Sequence, residues 1–253
     1  MTALLDVMAV RATGDPGAAV VDCGAPGRRV EETRCDVLVV GGGTGGIAAA
    51  LAAARAGRRV CLLEETNWIG GQLTAQGVSA LDEHEHIERF GGTRSYYALR
   101  EAIRGHYRRV SPALAARPHA KPGNCWVTRL AFEPRVAVDV LHAMVQPFVE
   151  SGRLAILTRT KAASAQVSAD RIESVLAANL DDRRWRRFRP RMVIDATELG
   201  DLLPLAGAEY IIGAESTADT GEPHAQPFEP KPHCVQSLTY TFVSSAWRRG
   251  SAT

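Results

Sequence analysis

Apolar and polar positions follow two rhythms along the 253-residue chain. Cys35–Val40 is a short, nearly continuous apolar run that stops at glycine, the pattern of a buried strand. Ile47–Ala56 is alanine-rich and closes at Gly57, a favoured place for a left-handed helix cap. Val60–Leu63 is a second buried run. A strand, helix and strand joined this tightly must run parallel, with a right-handed crossover. Thr66–Gly92 is polar and glycine-punctuated and reads as loop. Ser95–Val110 predicts a helix, and Ser111–Gly123, with three prolines, predicts irregular chain. A further helix starts at Pro134, on the spacing of Val136, Val140, Leu141, Met144 and Val145. Pro147 should kink or shorten its last turn, and Gly152 lies beyond its end. From Leu154 the period falls to two: LAILT, the alternation around Gln166 and Val167, RIESVLAANL and RMVIDAT are strand-like. They predict a strand, an antiparallel meander and a return strand ending at Asp195. VQSLTYTFV, residues 235–243, predicts one strand more. Residues 1–33 show no sustained period and read as a mobile leader.

These elements predict an α/β fold: a Rossmann-like architecture, with a central parallel sheet and an antiparallel β-meander. The main domain is expected over residues 34–212, with a helical insertion at about 68–150. Residues 213–253 are expected to begin a second domain and leave it incomplete, because a lone departing strand has no partner, so the chain reads as C-terminally truncated.

Composition narrows the picture. Apolar residues are 45% and charged residues 23% of the chain, ordinary for a globular protein. A net charge of +2 gives no reason to expect a polyanionic partner. The five cysteines form no CxxC pair, which speaks against a zinc ribbon or a dithiol redox pair. Asp6 interrupts the short N-terminal apolar run, with no preceding positive charge, so no signal peptide is expected. No uninterrupted apolar stretch is long enough to span a membrane. The expectation is a soluble cytoplasmic protein that meets a small molecule rather than nucleic acid or membrane. The run RRWRRFRPR, residues 183–191, is expected to guard an exposed edge strand. Asp82-Glu83-His84-Glu85-His86 lacks a zinc-protease spacing and reads as a polar loop, not a metal site.

The candidate chemistry sits between the first two strands. Gly41, Gly43 and Gly46 spell G-x-G-x-x-G, with a strand before, a helix after, and Glu64 ending the next strand. Gly41 permits the tight turn, Gly43 lets a pyrophosphate approach the backbone, and Gly46 lets the helix pack on the sheet. The pyrophosphate would lie on free N–H groups at the positive end of the helix dipole. Glu64 can accept hydrogen bonds from a ribose diol and would repel a 2′-phosphate. The knot therefore predicts an FAD or NAD type of binder and does not choose between them.

The following residues carry a resemblance. Ile69-Gly70-Gly71-Gln72-Leu73-Thr74, Phe90-Gly91-Gly92, the helix start Phe132 to Ala137, and Ala196-Thr197-Glu198-Leu199-Gly200-Asp201 resemble motifs of bacterial FAD-dependent oxidoreductases, flavoproteins of the glutathione-reductase structural class. That resemblance covers roughly residues 35–243 and implies FAD as cofactor, with hydride passing between a small organic substrate and the flavin. It implies cofactor contacts from Gly41, Gly43, Thr44, Gly45 and Gly46, from Glu64 and Glu65, from Gly70, Gly71 and Gln72, and from Ala196, Thr197, Gly200 and Asp201. Thr197 is expected to donate a hydrogen bond. The usual form of the last motif has glycine where this chain has Glu198. His84 or Arg94 is a candidate to face the flavin ring. The alternatives are a noncatalytic nucleotide-binding fragment or partner subunit, and a non-redox flavin or NAD protein.

Overall fold

The computed structural model describes residues 4–7, 15–237 and 241. The chain divides into two compact units, Met1–Ala208 and Glu209–Thr253. In the first unit the strands are β1 (Leu4–Asp6), β2 (Val20–Asp22), β3 (Glu31–Val40), β4 (Val60–Leu63), β5 (Leu154–Leu157), β6 (Thr160–Ser168), β7 (Arg171–Asn179) and β8 (Trp185–Asp195). Its α-helices are α1 (Thr44–Arg55), α2 (Arg94–Val110), α3 (Pro112–Ala115), α4 (Pro134–Glu150) and α5 (Leu202–Ala206).

Six strands form one sheet in the order β5-β4-β3-β8-β7-β6. β5, β4, β3 and β8 run parallel, and β7 and β6 continue antiparallel. This mixed α/β sheet is the Rossmann-like arrangement the patterning predicts. Side chains of β3 alternate between its faces. Val39 joins the core that α1, α2 and α4 cover, with Ile47, Leu99 and Leu141, whereas Leu38 and Val40 join Cys61, Phe188 and Leu202 on the other side. α1 ends where Gly57 takes a φ of +78° and Arg58 N–H donates to Ala53 O at 3.1 Å. The crossover from β3 through α1 leads to β4 on one side, and β8 returns to the other side of β3. The carboxyl ends of β3 and β8 therefore flank the point where the chain changes direction across the sheet, the usual seat of a ligand in open α/β sheets.

Several expectations change. The segment read as a leader holds β1 and β2, which pair antiparallel. Val7 and Cys23 bury against Ala178 and Leu180, and Trp185 Nε1 donates to Cys23 O at 3.2 Å. β3 starts at Glu31, because Glu31 and Glu32 find Arg186 and Arg189 on β8, at 2.8 and 3.1 Å. The arginine run thus lies on an interior strand, between β3 and β7, rather than on an edge. α4 passes through Pro147 to Glu150, since a proline this close to the end forfeits little of the helix. Pro112–Ala115, expected irregular, is a short helix with proline in its first turn.

In the second unit, Ala214 pairs with Lys231 and Ser216 with Gln226 as isolated bridges. A one-turn helix, α6 (Thr217–Thr220), starts with the Ser216 hydroxyl accepting from Asp219 N–H at 3.2 Å. Of the expected strand 235–243, Val235–Ser237 are not in a strand, and the remainder lies outside the described residues apart from Thr241.

Candidate active site

At the carboxyl end of β3, Gly41 has a φ of +99°, and a Cβ there would overlap the carbonyl of Ala196. Ala196 N–H in turn donates to Val40 O at 2.7 Å, so β8 is pressed onto the end of β3. A Cβ on Gly46 would overlap the carbonyl of Gly41. These two glycines are required by backbone contacts. Gly43 and Gly45 are different. Gly45 has no neighbour in the space a Cβ would take, and Gly43 has only the carboxylate tip of Glu198. α1 starts after Gly43 with no side chain capping it, which leaves the N–H groups of its first turn to a ligand. The cradle is therefore open where a pyrophosphate needs it and closed where the fold needs it. The residues present fit the pyrophosphate of FAD.

The two acids after β4 have separate surroundings. Glu64 is buried and turns back to the knot: its Oε2 accepts from Gly42 N–H at 2.8 Å and its Oε1 from Thr66 N–H at 2.7 Å. Each oxygen keeps a further lone pair for a ribose hydroxyl. Glu65 is also buried, and its Oε2 accepts from Lys161 Nζ at 2.5 Å. Lys161 donates as well to Asp201 Oδ2 at 2.9 Å. These charged bonds hold the Lys161 ammonium's pKa above its ordinary value against the burial that would lower it. Glu65 and Asp201, expected at the cofactor, thus form an ion-paired tie between β4, β6 and α5.

Gly70 and Gly71 come onto the knot. Gly70 N–H donates to Gly42 O at 2.8 Å, and Thr44 Oγ1 donates to Gly70 O at 3.4 Å. Both glycines have positive φ, +119° and +53°. A Cβ on Gly71 would come to 3.0 Å from Gly43 Cα. Gln72 is exposed beside them, in the short 3-10 turn Gly71–Leu73.

The last motif has an internal organiser that the sequence reading passed over. Asp195 Oδ1 accepts from Thr197 N–H at 3.0 Å and from the Thr197 hydroxyl at 2.7 Å, and its Oδ2 accepts from Leu202 N–H at 2.9 Å. Thr197 Oγ1 accepts from Asp201 N–H at 2.7 Å. The Thr197 hydroxyl proton, expected for the cofactor, is therefore given to Asp195. Gly200, with a φ of +70°, shapes the turn into α5. Glu198 reaches the cradle instead. Its Oε1 lies 2.8 Å from where a Gly71 Cβ would be and 3.1 Å from that of Gly43.

The acidic and histidine-rich loop is structural. Glu83 accepts from Tyr96 OH at 2.6 Å and from Arg100 Nε at 2.7 Å. Glu88 accepts from Arg100 and Arg104 through both oxygens, at 2.6 to 3.2 Å. The arginines hold the Glu88 carboxyl well below the usual carboxylate range. His84 rests against Gly91, Phe90 and His86. Among the described residues no group of three metal-ligating side chains comes together. No described helix is long and apolar enough to cross a membrane.

No curated protein matches the chain. Solved structures similar to it include glycerol-3-phosphate dehydrogenase from Bacillus halodurans complexed with FAD, at 17% identity and a TM-score of 0.44, covering 68% of this chain and 36% of that one. Thermovibrio ammonificans THI4 is 16% identical with a TM-score of 0.42, over 72% of this chain and 67% of that one. L-proline dehydrogenase from P. horikoshii is 18% identical with a TM-score of 0.38, over 68% of this chain and 24% of that one. The chain thus spans about a quarter of the proline dehydrogenase chain and about a third of the glycerol-3-phosphate dehydrogenase chain. The model of the FAD dependent oxidoreductase family matches residues 36–250. With that match over most of its length, and a cradle that fits the pyrophosphate of the flavin dinucleotide, the chain belongs to the FAD dependent oxidoreductase family.

Proposed function

We propose that this chain supplies the FAD-binding site of an oxidoreductase acting on a small organic substrate by hydride transfer to or from the flavin. The observation that carries the proposal is the cradle itself: an open Gly43–Gly45 turn at an uncapped helix start, with the buried Glu64 carboxylate on Gly42 N–H. FAD, when bound, supplies the hydride acceptor and donor. The chain's residues bind and orient it. The N–H groups at the start of α1 take the pyrophosphate, and Glu64 takes the adenosine ribose. Gly70 and Gly71 let the following loop pack directly onto the knot. The ion-paired Lys161 on β6 ties the segment after β4 to the start of α5. No proton-transfer residue is assigned.

The test is reduction of the loaded protein. FAD-reconstituted chain, kept anaerobic, is mixed with a panel of small alcohols, amines, amino acids and hydroxy acids. Loss of the oxidised-flavin absorbance with at least one donor is expected. A flavin that dithionite bleaches but no organic donor reduces favours the noncatalytic reading.

A further inference from the structure

A second charged site lies in the helical insertion, and none of its residues belongs to the cofactor cradle. A cavity of about 270 Å³ is lined by Glu88, Arg89, Arg104, His119, Lys121 and Arg129. Its charge is unbalanced. Glu83 offsets Arg100, and Glu88 offsets Arg104, through the bonds described above. Among the described residues, Arg89, Lys121 and Arg129 have no acidic partner. Four permanent cations face one carboxylate, a net charge of +3 with His119 neutral. Three uncompensated cations around one small space repel one another, and a bound anion removes that repulsion.

The backbone that carries the walls is anchored. Arg104 is buried, and its Nε donates to Ala120 O at 3.2 Å. Ala120 and Leu130 are fully buried and adjoin Lys121 and Arg129, while Ile87 is a buried anchor next to Glu88 and Arg89. Gly123 N–H donates to Ala131 O at 3.1 Å, closing the loop that carries Lys121 and Arg129. Three of the five Arg104 N–H groups are bonded to protein, which leaves two as donors. Drug-sized ligands occupy roughly 300–1,000 Å³ in mostly apolar pockets. This cavity is smaller and lined by charge, so it suits neither a dinucleotide nor an apolar ligand.

We propose that the cavity binds a small oxyanion carrying two or more negative charges, of the size of a phosphate ester or a dicarboxylate. Titration calorimetry on the FAD-loaded chain at low salt tests it, with inorganic phosphate, succinate and acetate as separate probes. Phosphate, succinate or both should bind one to one, at least tenfold more tightly than acetate, and the better of the two identifies the source chemistry. Lys121→Ser combined with Arg129→Ser should weaken that binding at least tenfold. Both positions are exposed and their removal relieves repulsion, so the melting temperature of the variant should not fall below that of the parent, and its FAD affinity should be unchanged. Absence of one-to-one binding by either dianion, acetate binding as tightly, or undiminished binding in the double variant would overturn the proposal.

Discussion

At the residue scale, two neighbouring acids have opposite duties. Glu64 touches the knot, whereas Glu65 is paired with Lys161. Glu64→Ala removes a charged acceptor at the cradle and should weaken FAD binding by about 1.5–3 kcal/mol, a factor of roughly 10 to 150. Glu65→Ala should leave FAD affinity nearly intact and lower thermal stability, because Lys161 keeps only Asp201. Fluorescence titration with FAD and a melting curve for each variant separate the two. Equal losses of affinity would mean that the acid register is misassigned. Glu198 gives a prediction of the other sign. Its carboxylate stands at Gly43 and Gly71, beside the seat proposed for the pyrophosphate. Like charges there oppose binding, and the exposed side chain relieves part of the repulsion by turning away. Glu198→Gln should therefore tighten FAD binding about fivefold, about 1 kcal/mol, in the range of exposed charge pairs. Unchanged or weaker binding in this variant would show that Glu198 does not oppose the cofactor.

At the element scale, the contact between α2 and the loop before it depends on charge. Arg100 and Arg104 stand four residues apart on one face of α2 and are nearly completely buried against Glu83 and Glu88. The Glu88 carboxyl titrates lower in the folded chain than its ordinary value of 4.5. Below about pH 4.5 the unfolded chain takes up a proton that the folded chain refuses. Glu88 therefore stabilises the fold fully above that pH, and its contribution fades as pH falls, by about 1.4 kcal/mol per pH unit. Glu88→Gln should be several kcal/mol less stable at pH 7, with a shallower loss between about pH 4 and pH 2. Urea unfolding across that range measures the difference, and parallel curves would refute the assignment. The periodicity of α2 was legible in the sequence, but its partners were not. The spacing puts Arg100 and Arg104 on one helix face, and only the fold brings Glu83 and Glu88 over them. The arginine run of β8 was misread for a related reason. Arginines in a meander commonly guard an exposed edge, yet Glu31 and Glu32 on β3 make an interior position tolerable by pairing across the strands.

At the scale of the molecule, the first half of the cradle was legible because it is local. Gly41, Gly43, Gly46 and Glu64 lie within one strand–helix–strand unit, and their spacing alone sets their geometry. The second half comes from β8, some 130 residues further on, where side-chain reach decides the roles. Thr197 and Asp201 are chemically capable of meeting a cofactor, but Asp195 and Lys161 engage them first. The sheet order that brings Ala196 onto Gly41 could not be read from periodicity, because two strands of equal character could have exchanged places. Whether this crevice holds FAD is decided by titrating the purified chain with FAD and with NAD under the same conditions, following flavin fluorescence and calorimetric heat. Saturable one-to-one binding of FAD is expected, tighter than any binding of NAD and weakened by Glu64→Ala. Tighter binding of NAD, or no saturable binding of FAD, would contradict it.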